Sequence, residues 1–356
     1  MHACKPPRPA AFALALGLAA LAPSAQALDF VLTDVGTTPM STQQFSAIQS
    51  ATAYWKSQLT DSVTVYLNVS FSNLGTNVLA STNSNELTLN YTDLRSRLVA
   101  DARSVTDLSA VSHLQPGPAL SFMATQGDGT VRFDNDGSVN NSVLNLTTAN
   151  AKALGMSPTT STGTPDATIN FANAFAGSFA YARINGQVPS TQMDFITVAE
   201  HEIGHALGFV SGVDGIDYCL SYPAQCGIPA TVNRFENMPW YYPLDLFRYS
   251  APNTLNVSVG GSPYFTVDGG TTAIQSFSTG AIHGNSWQAS HFGPNALTLM
   301  RPFVSNGQSY DASTADLMAL DAIGWDLAVA VPEPHSWALL LGGLGAIGWR
   351  VRYKRG

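Results

Sequence analysis

The block His201-Glu202-Ile203-Gly204-His205-Ala206-Leu207-Gly208-Phe209 constrains this chain more than any other stretch, because its spacing makes chemical sense on a helix. Residues four apart on a helix share a face, so His201 and His205 project side by side and can hold one Zn²⁺ at roughly 2.0–2.1 Å. Glu202 then flanks the open coordination position. A water bound there has its pKa lowered to about 7, and a neighbouring carboxylate can accept its proton as it attacks a carbonyl. A surface helix carrying two incidental histidines is the plain alternative. Against it, Phe195, Val198, Ile203, Ala206 and Leu207 supply apolar positions, Asp194 suits an N-cap and Gly208 suits a C-terminal stop. The pattern predicts a helix over 194–208.

The chain's ends place this helix in an exported protein. Lys5 and Arg8 precede an apolar run over 10–22 and a small-residue site at Ala25-Gln26-Ala27, the layout of a secretory signal peptide over 1–27, removed by signal peptidase. A transmembrane anchor is the alternative for that run, which is short for one. At the other end Pro332-Glu333-Pro334 precedes an apolar stretch over 337–349 and the basic residues Arg350, Arg352, Lys354 and Arg355. Between these ends, residues 28–330 hold 10 Lys+Arg against 23 Asp+Glu, a net charge of −13. So acidic a body argues against nucleic acid or an anionic membrane as partner. Cys219 and Cys226 can close a small disulfide loop in an oxidising compartment or remain free thiols, and Cys4 leaves with the signal peptide.

Within the body, Phe45, Ile48, Ala51, Trp55 and Leu59 recur at helical spacing, and Val63, Val65, Leu67, Val69 and Phe71 alternate as in a strand. A second helix is predicted over 91–104, a turn-rich loop over 126–141, and strands over 254–259 and 264–267. Asp128, Asp134 and Asp136 match no EF-hand spacing, so that loop reads as solvated turns. The segment 166–171 has strand character. It reads equally as an edge strand, able to pair with extended substrate, or as an internal strand.

A catalytic zinc needs three protein ligands and one open position, so two histidines leave the shell incomplete. His283, His291, Asp214 and Asp217 are the downstream candidates, and His113 reads as an ordinary partly buried histidine. Tyr249 is a candidate oxyanion donor.

The histidine block resembles the start of the metzincin motif HExxHxxGxxH, with Gly208 in place but Ser211 where the third histidine belongs. It resembles more closely the leishmanolysin-like peptidases, in which an insertion separates the glycine from the third histidine. Gln288-Ala289-Ser290-His291 followed by Leu299-Met300-Arg301-Pro302 is similar to that family's third ligand and Met-turn, and the segment from Asp316 to Trp325 is similar to its closing helix. The body from Phe45 to Trp325, including the run from Leu244 to Tyr249, also resembles a bacterial group of sorting-signal-tagged HExxH metalloproteases. The C-terminal layout resembles the PEP-CTERM signal of Gram-negative bacteria, in which an exosortase recognises Pro332-Glu333-Pro334 and the apolar stretch and basic tail give transient inner-membrane association. A plain membrane anchor is the alternative there.

These resemblances imply an α+β, zincin-like two-lobed catalytic domain with a twisted mixed sheet and an active-site helix. The expected organisation is a signal peptide over 1–27, a catalytic domain over 28–330 (N-lobe 28–208, C-lobe 209–330) and a sorting signal over 331–356. They imply a zinc endopeptidase acting on protein or peptide substrates, with Glu202 as general base, His201, His205 and His291 as zinc ligands and Met300 as an apolar floor. Two other readings fit the same residues: a non-catalytic surface or biofilm-matrix protein that keeps a zinc site, and a zinc hydrolase of cell-wall material. The expected destination is the cell surface or extracellular matrix.

Overall fold

A computed structural model describes residues 28–229, 231 and 233–328. The expected signal peptide and the whole sorting signal, with its apolar stretch, lie outside the described residues. The alternating apolar pattern at the start of the body forms the strand Thr64–Ser72, and the helical pattern before it forms the helix Thr42–Gln58. Ser41 caps that helix: its Oγ accepts from Gln44 N at 3.2 Å, and Gln44 Oε1 accepts from Ser41 N at 2.8 Å. Ala47, Ile48, Ala51 and Trp55 form its buried stripe.

The main sheet has four strands in the order Asp29–Asp34, Thr64–Ser72, Ala167–Ala172, Ala80–Ser84. The first three run parallel and the last is antiparallel to its neighbour, with Thr82 opposite Ile169. The expected mixed sheet is therefore present in an α+β chain. The internal alternative holds for 166–171, since Ala167–Ala172 has a strand on each side. The edge is instead Ala80–Ser84, a polar segment without apolar alternation. Physically, Ala167, Ile169 and Phe171 are wholly buried, which suits a strand flanked on both sides. A short polar strand tolerates an open edge.

The histidine block lies on the helix Phe195–Ala206, one residue inside the predicted start and two inside the predicted end. Asp194 caps it, accepting from Thr197 N at 3.3 Å, and is itself held by Arg183 at 2.8 Å. Phe195 anchors the helix on the sheet, its ring 4.6 Å from that of Phe171 and 5.8 Å from that of Phe71. Trp55 Nε1 donates to Glu200 O at 2.9 Å and so joins the opening helix to the motif helix. At the far end Gly208 has φ +114°, and a Cβ there would stand 3.0 Å from Asn150 Cβ, so glycine is needed to turn the chain away.

Beyond the turn, the helix Val213–Ser221 carries Cys219, which is disulfide-bonded to Cys226. A small antiparallel sheet follows in the order Thr254–Leu255, Arg248–Ala251, Tyr264–Phe265, Gln275–Ser276, so the two predicted strands are present but shorter. The closing helix Thr314–Ala322 is capped by Ser313 and Asp316. The helix predicted over 91–104 ends at Asp101, and a second helix, Val105–Ser112, begins at once. The predicted turn-rich loop also contains the strand Val131–Asp134, which pairs with Phe122–Thr125. One connected buried cluster runs from Leu28 to Trp325.

Candidate metal centre

His201 and His205 sit one turn apart on the motif helix, and a distant segment delivers His291 to them. His205 Nε2 lies 3.0 Å from His201 Nε2 and 3.3 Å from His291 Nε2, and the remaining pair is 3.2 Å apart. Nitrogen ligands at 2.0–2.1 Å around a tetrahedral ion stand about 3.3 Å from one another, so the three atoms form a fitting triangular face. Each imidazole is turned by its other nitrogen. Nδ1 of His201 is 2.8 Å from Leu299 O, that of His205 is 2.7 Å from Phe209 O, and that of His291 is 3.2 Å from Gln288 O. A carbonyl cannot donate, so Nδ1 carries the proton in each ring and the three Nε2 lone pairs face one another.

Burial reinforces that arrangement. It pushes His201 down to about 4, and burial plus the neighbouring His201 push His205 down to about 3. His291 is held well below its ordinary value by burial and by the other two rings. Three neutral imidazoles with converging lone pairs repel unless a cation stands between them, so this donor set fits a divalent metal.

Glu202 is buried beside the trio at 6% exposure. Thr82 Oγ1, on the edge strand, bonds to Glu202 Oε2 at 2.7 Å and lies 2.9 Å from Glu202 O. Burial pushes the Glu202 carboxyl up to about 7, opposed by that hydroxyl. Thr82 is a site residue that sequence reasoning missed, since nothing in Ala80–Ser84 marks it before the sheet is formed.

The other downstream candidates fall outside the trio. His283 Nε2 is 2.8 Å from Ser221 Oγ on the surface. Asp217 accepts the N–H groups of Ile282 and His283 at 2.8 Å. Asp214 accepts from Ala289 N at 2.6 Å and Ser290 N at 3.0 Å, and so braces the segment that presents His291. His113, expected to be partly buried, is exposed because it is the C-cap residue just past the helix Val105–Ser112, where its Nδ1 donates to Ser109 O at 2.8 Å. Asp128 is engaged by Thr130 and Arg132, while Asp134 and Asp136 approach Glu236 in an acidic turn.

Met300 is buried, with its backbone N–H on Asp316 Oδ1 at 3.0 Å and its carbonyl accepting from Phe292 N at 2.8 Å. A Cβ built on Gly204 would stand 2.6 Å from Met300 Sδ, so the thioether packs directly under the motif helix. Trp287, Arg301, Phe303 and Tyr310 join the trio and the edge strand in a cleft of about 860 Å³. Tyr249 does not line that cleft; it is buried on the strand Arg248–Ala251, and Tyr310 is the tyrosine at the site.

Among the described residues no helix is long and apolar enough to cross a membrane. No curated protein and no solved structure matches the chain. A family model described as the PEP-CTERM protein-sorting motif matches residues 330–355, which include Pro332, Glu333 and Pro334, so the chain carries the signal of an exported, surface-sorted protein that an exosortase processes in Gram-negative bacteria.

Proposed function

We propose that this protein is an exported zinc-dependent endopeptidase of zincin type. The observation that carries the reading is the convergence of three lone-pair-bearing Nε2 atoms within 3.0–3.3 Å, with a buried carboxylate next to the first of them. His201, His205 and His291 would hold the zinc, which when bound supplies Lewis-acid activation of a water and of the scissile carbonyl. A closed structural shell would use a fourth protein ligand and has no need of Glu202.

Glu202 takes the proton of the attacking water and passes it to the leaving amine. The Thr82 hydroxyl holds the carboxylate in place and favours its charged form. Met300 gives the motif helix an apolar floor and binds nothing. Substrate lies along the edge strand. Leu79 O accepts from Ala172 N, and Asn85 N donates to Asp166 O. Antiparallel alternation therefore turns the main-chain groups of Ala80, Thr82 and Ser84 outward, where an extended peptide can pair with them. That free edge favours a peptide backbone over a glycan as substrate. The apolar stretch over 337–349 would hold the chain in the inner membrane until the sorting signal is processed.

The test is metal content by mass spectrometry together with casein hydrolysis by the purified protein. Glu202→Ala should keep its metal and lose activity, and His291→Ala should lose both. A wild type that binds zinc, cuts nothing and matches Glu202→Ala in every assay refutes the peptidase reading and leaves a metal-bearing surface protein.

A further inference from the structure

Among the described residues, Arg301 is the one lysine or arginine lining the cleft. It is 9% exposed, yet among the described residues no carboxylate lies within ion-pair distance of it. Two other interior cations meet carboxylates directly, Lys152 with Asp166 at 2.6 Å and Arg183 with Asp194 at 2.8 Å. Arg234 and Arg248 are buried without an ion pair among the described residues but do not line the cleft, so Arg301 is the unpaired guanidinium that a ligand there can reach. A guanidinium withdrawn from water without a counter-charge is costly unless something anionic joins it.

Its surroundings hold the group ready for a planar partner. The guanidinium carbon stands 4.1 Å from the Phe303 ring centre and 5.0 Å from that of Tyr310. Nη1 donates to Tyr310 Oη at 2.7 Å and Nη2 to Pro294 O at 2.7 Å, while Nε has no partner. Each Nη therefore keeps a second N–H, and the ring contacts limit how the fork can turn. The group also lies near the metal centre. Leu299, two residues before Arg301, orients His201 through its carbonyl, and Tyr310 N donates to Thr197 Oγ1 at 2.9 Å, one turn before His201. One turn is about 5.4 Å along the axis, which an extended peptide covers in roughly two residues.

We propose that Arg301 is a carboxylate-binding subsite of the cleft, so that the enzyme selects peptides presenting a carboxylate within about two residues of the scissile bond. The carboxylate belongs either to an Asp or Glu side chain or to a free chain terminus. The inference rests on the peptidase reading for the word substrate, and the arginine's geometry supports binding independently of turnover.

The experiment uses quenched fluorescent peptides identical except for Glu or Gln at each position around the cleavage site, each made as free acid and as C-terminal amide. Wild type should favour the carboxylate-bearing member of one such pair by about 10–100-fold in kcat/KM, the range of a buried charged hydrogen bond. Arg301→Gln should bring that ratio close to one, and Arg301→Lys, which keeps the charge without the planar fork, should fall between. A ratio that follows free acid against amide places the carboxylate at the terminus, and one that follows Glu against Gln places it on a side chain. No preference in wild type, or a preference that survives Arg301→Gln, overturns the proposal. If no peptide is cut, the peptidase reading fails separately, and anisotropy titration of the same peptides decides the subsite. A carboxylate preference in affinity that Arg301→Gln abolishes upholds it, and equal affinities refute it. Should Arg301→Gln not fold, the wild-type preference and its reduction in Arg301→Lys decide the question: a reduced ratio upholds the subsite, and an unchanged one refutes it.

Discussion

The main-chain N–H of Ser211 donates to Ser290 Oγ at 2.9 Å. Ser211 stands where a compact metzincin motif would place its third histidine, and here it grips the residue next to His291. Its own hydroxyl bonds to Asp245 Oδ1 at 2.6 Å, and Gly212 N donates to Asp245 Oδ2 at 2.9 Å. With Asp214 accepting from Ala289 N and Ser290 N, the turn after the motif helix becomes a cradle for the segment that brings His291 in from 80 residues further along the chain.

Asp214→Asn should therefore weaken metal binding by about 10–100-fold while the protein stays folded, as expected of groups that orient ligands. Competition with a chromophoric chelator measures it. An affinity equal to wild type would mean that the Asp245–Ser211 contacts suffice.

Thr82→Val removes the hydroxyl that favours the charged form of Glu202. A base must be deprotonated to act, so activity rises with pH through its pKa, and removing Thr82 shifts that rise to higher pH. The kcat/KM profile should lose more at pH 6 than at pH 8. A parallel loss at both would assign Thr82 a purely steric role.

Gly204→Ala drives a methyl group into Met300 Sδ and should destabilise the fold by about 1–3 kcal/mol. Met300→Ala in the same chain makes room for it, so the double variant should be more stable than the sum of the two single changes implies. Thermal melts of the four proteins give the coupling, and strict additivity would show that the two residues do not touch.

Burial, with Asp326 and Asp101 nearby, raises Asp61 to about 7. Between about pH 4 and 7 the folded state then keeps a proton that the unfolded chain has lost. Its contribution is complete at low pH and disappears as pH climbs through that window, on the order of a few kcal/mol. Asp61→Asn should raise Tm at pH 8 and flatten the decline between pH 4 and 7. A decline as steep as wild type would assign it to other carboxylates such as Asp101 and Asp321, each raised to about 6 mainly by burial.

Much of the scaffold was legible because it rests on local periodicity. The stripe through Ile48, Ala51 and Trp55, the cap at Asp194 and Gly208 at the end of the motif helix are short-range features that mark their own elements. The edge strand was not legible. Ala80–Ser84 has no apolar alternation, and its pairing with Ala167–Ala172 joins segments 80 or more residues apart. The same separation hid Thr82 as a partner of Glu202 and Tyr310 as the tyrosine of the cleft, while Tyr249 carried no spacing that tied it to the metal.

By itself the sequence determined the helix that pairs His201 with His205, the acid between them and the signal at the C-terminus, since four-residue spacing and terminal composition act over a few residues. Only the tertiary structure decided that His291 completes the trio, that His283, Asp214 and Asp217 do not, and that Arg301 faces the cleft without a counter-charge. Those outcomes depend on which distant segments share a core, and that is settled by burial and hydrogen bonding over the whole chain.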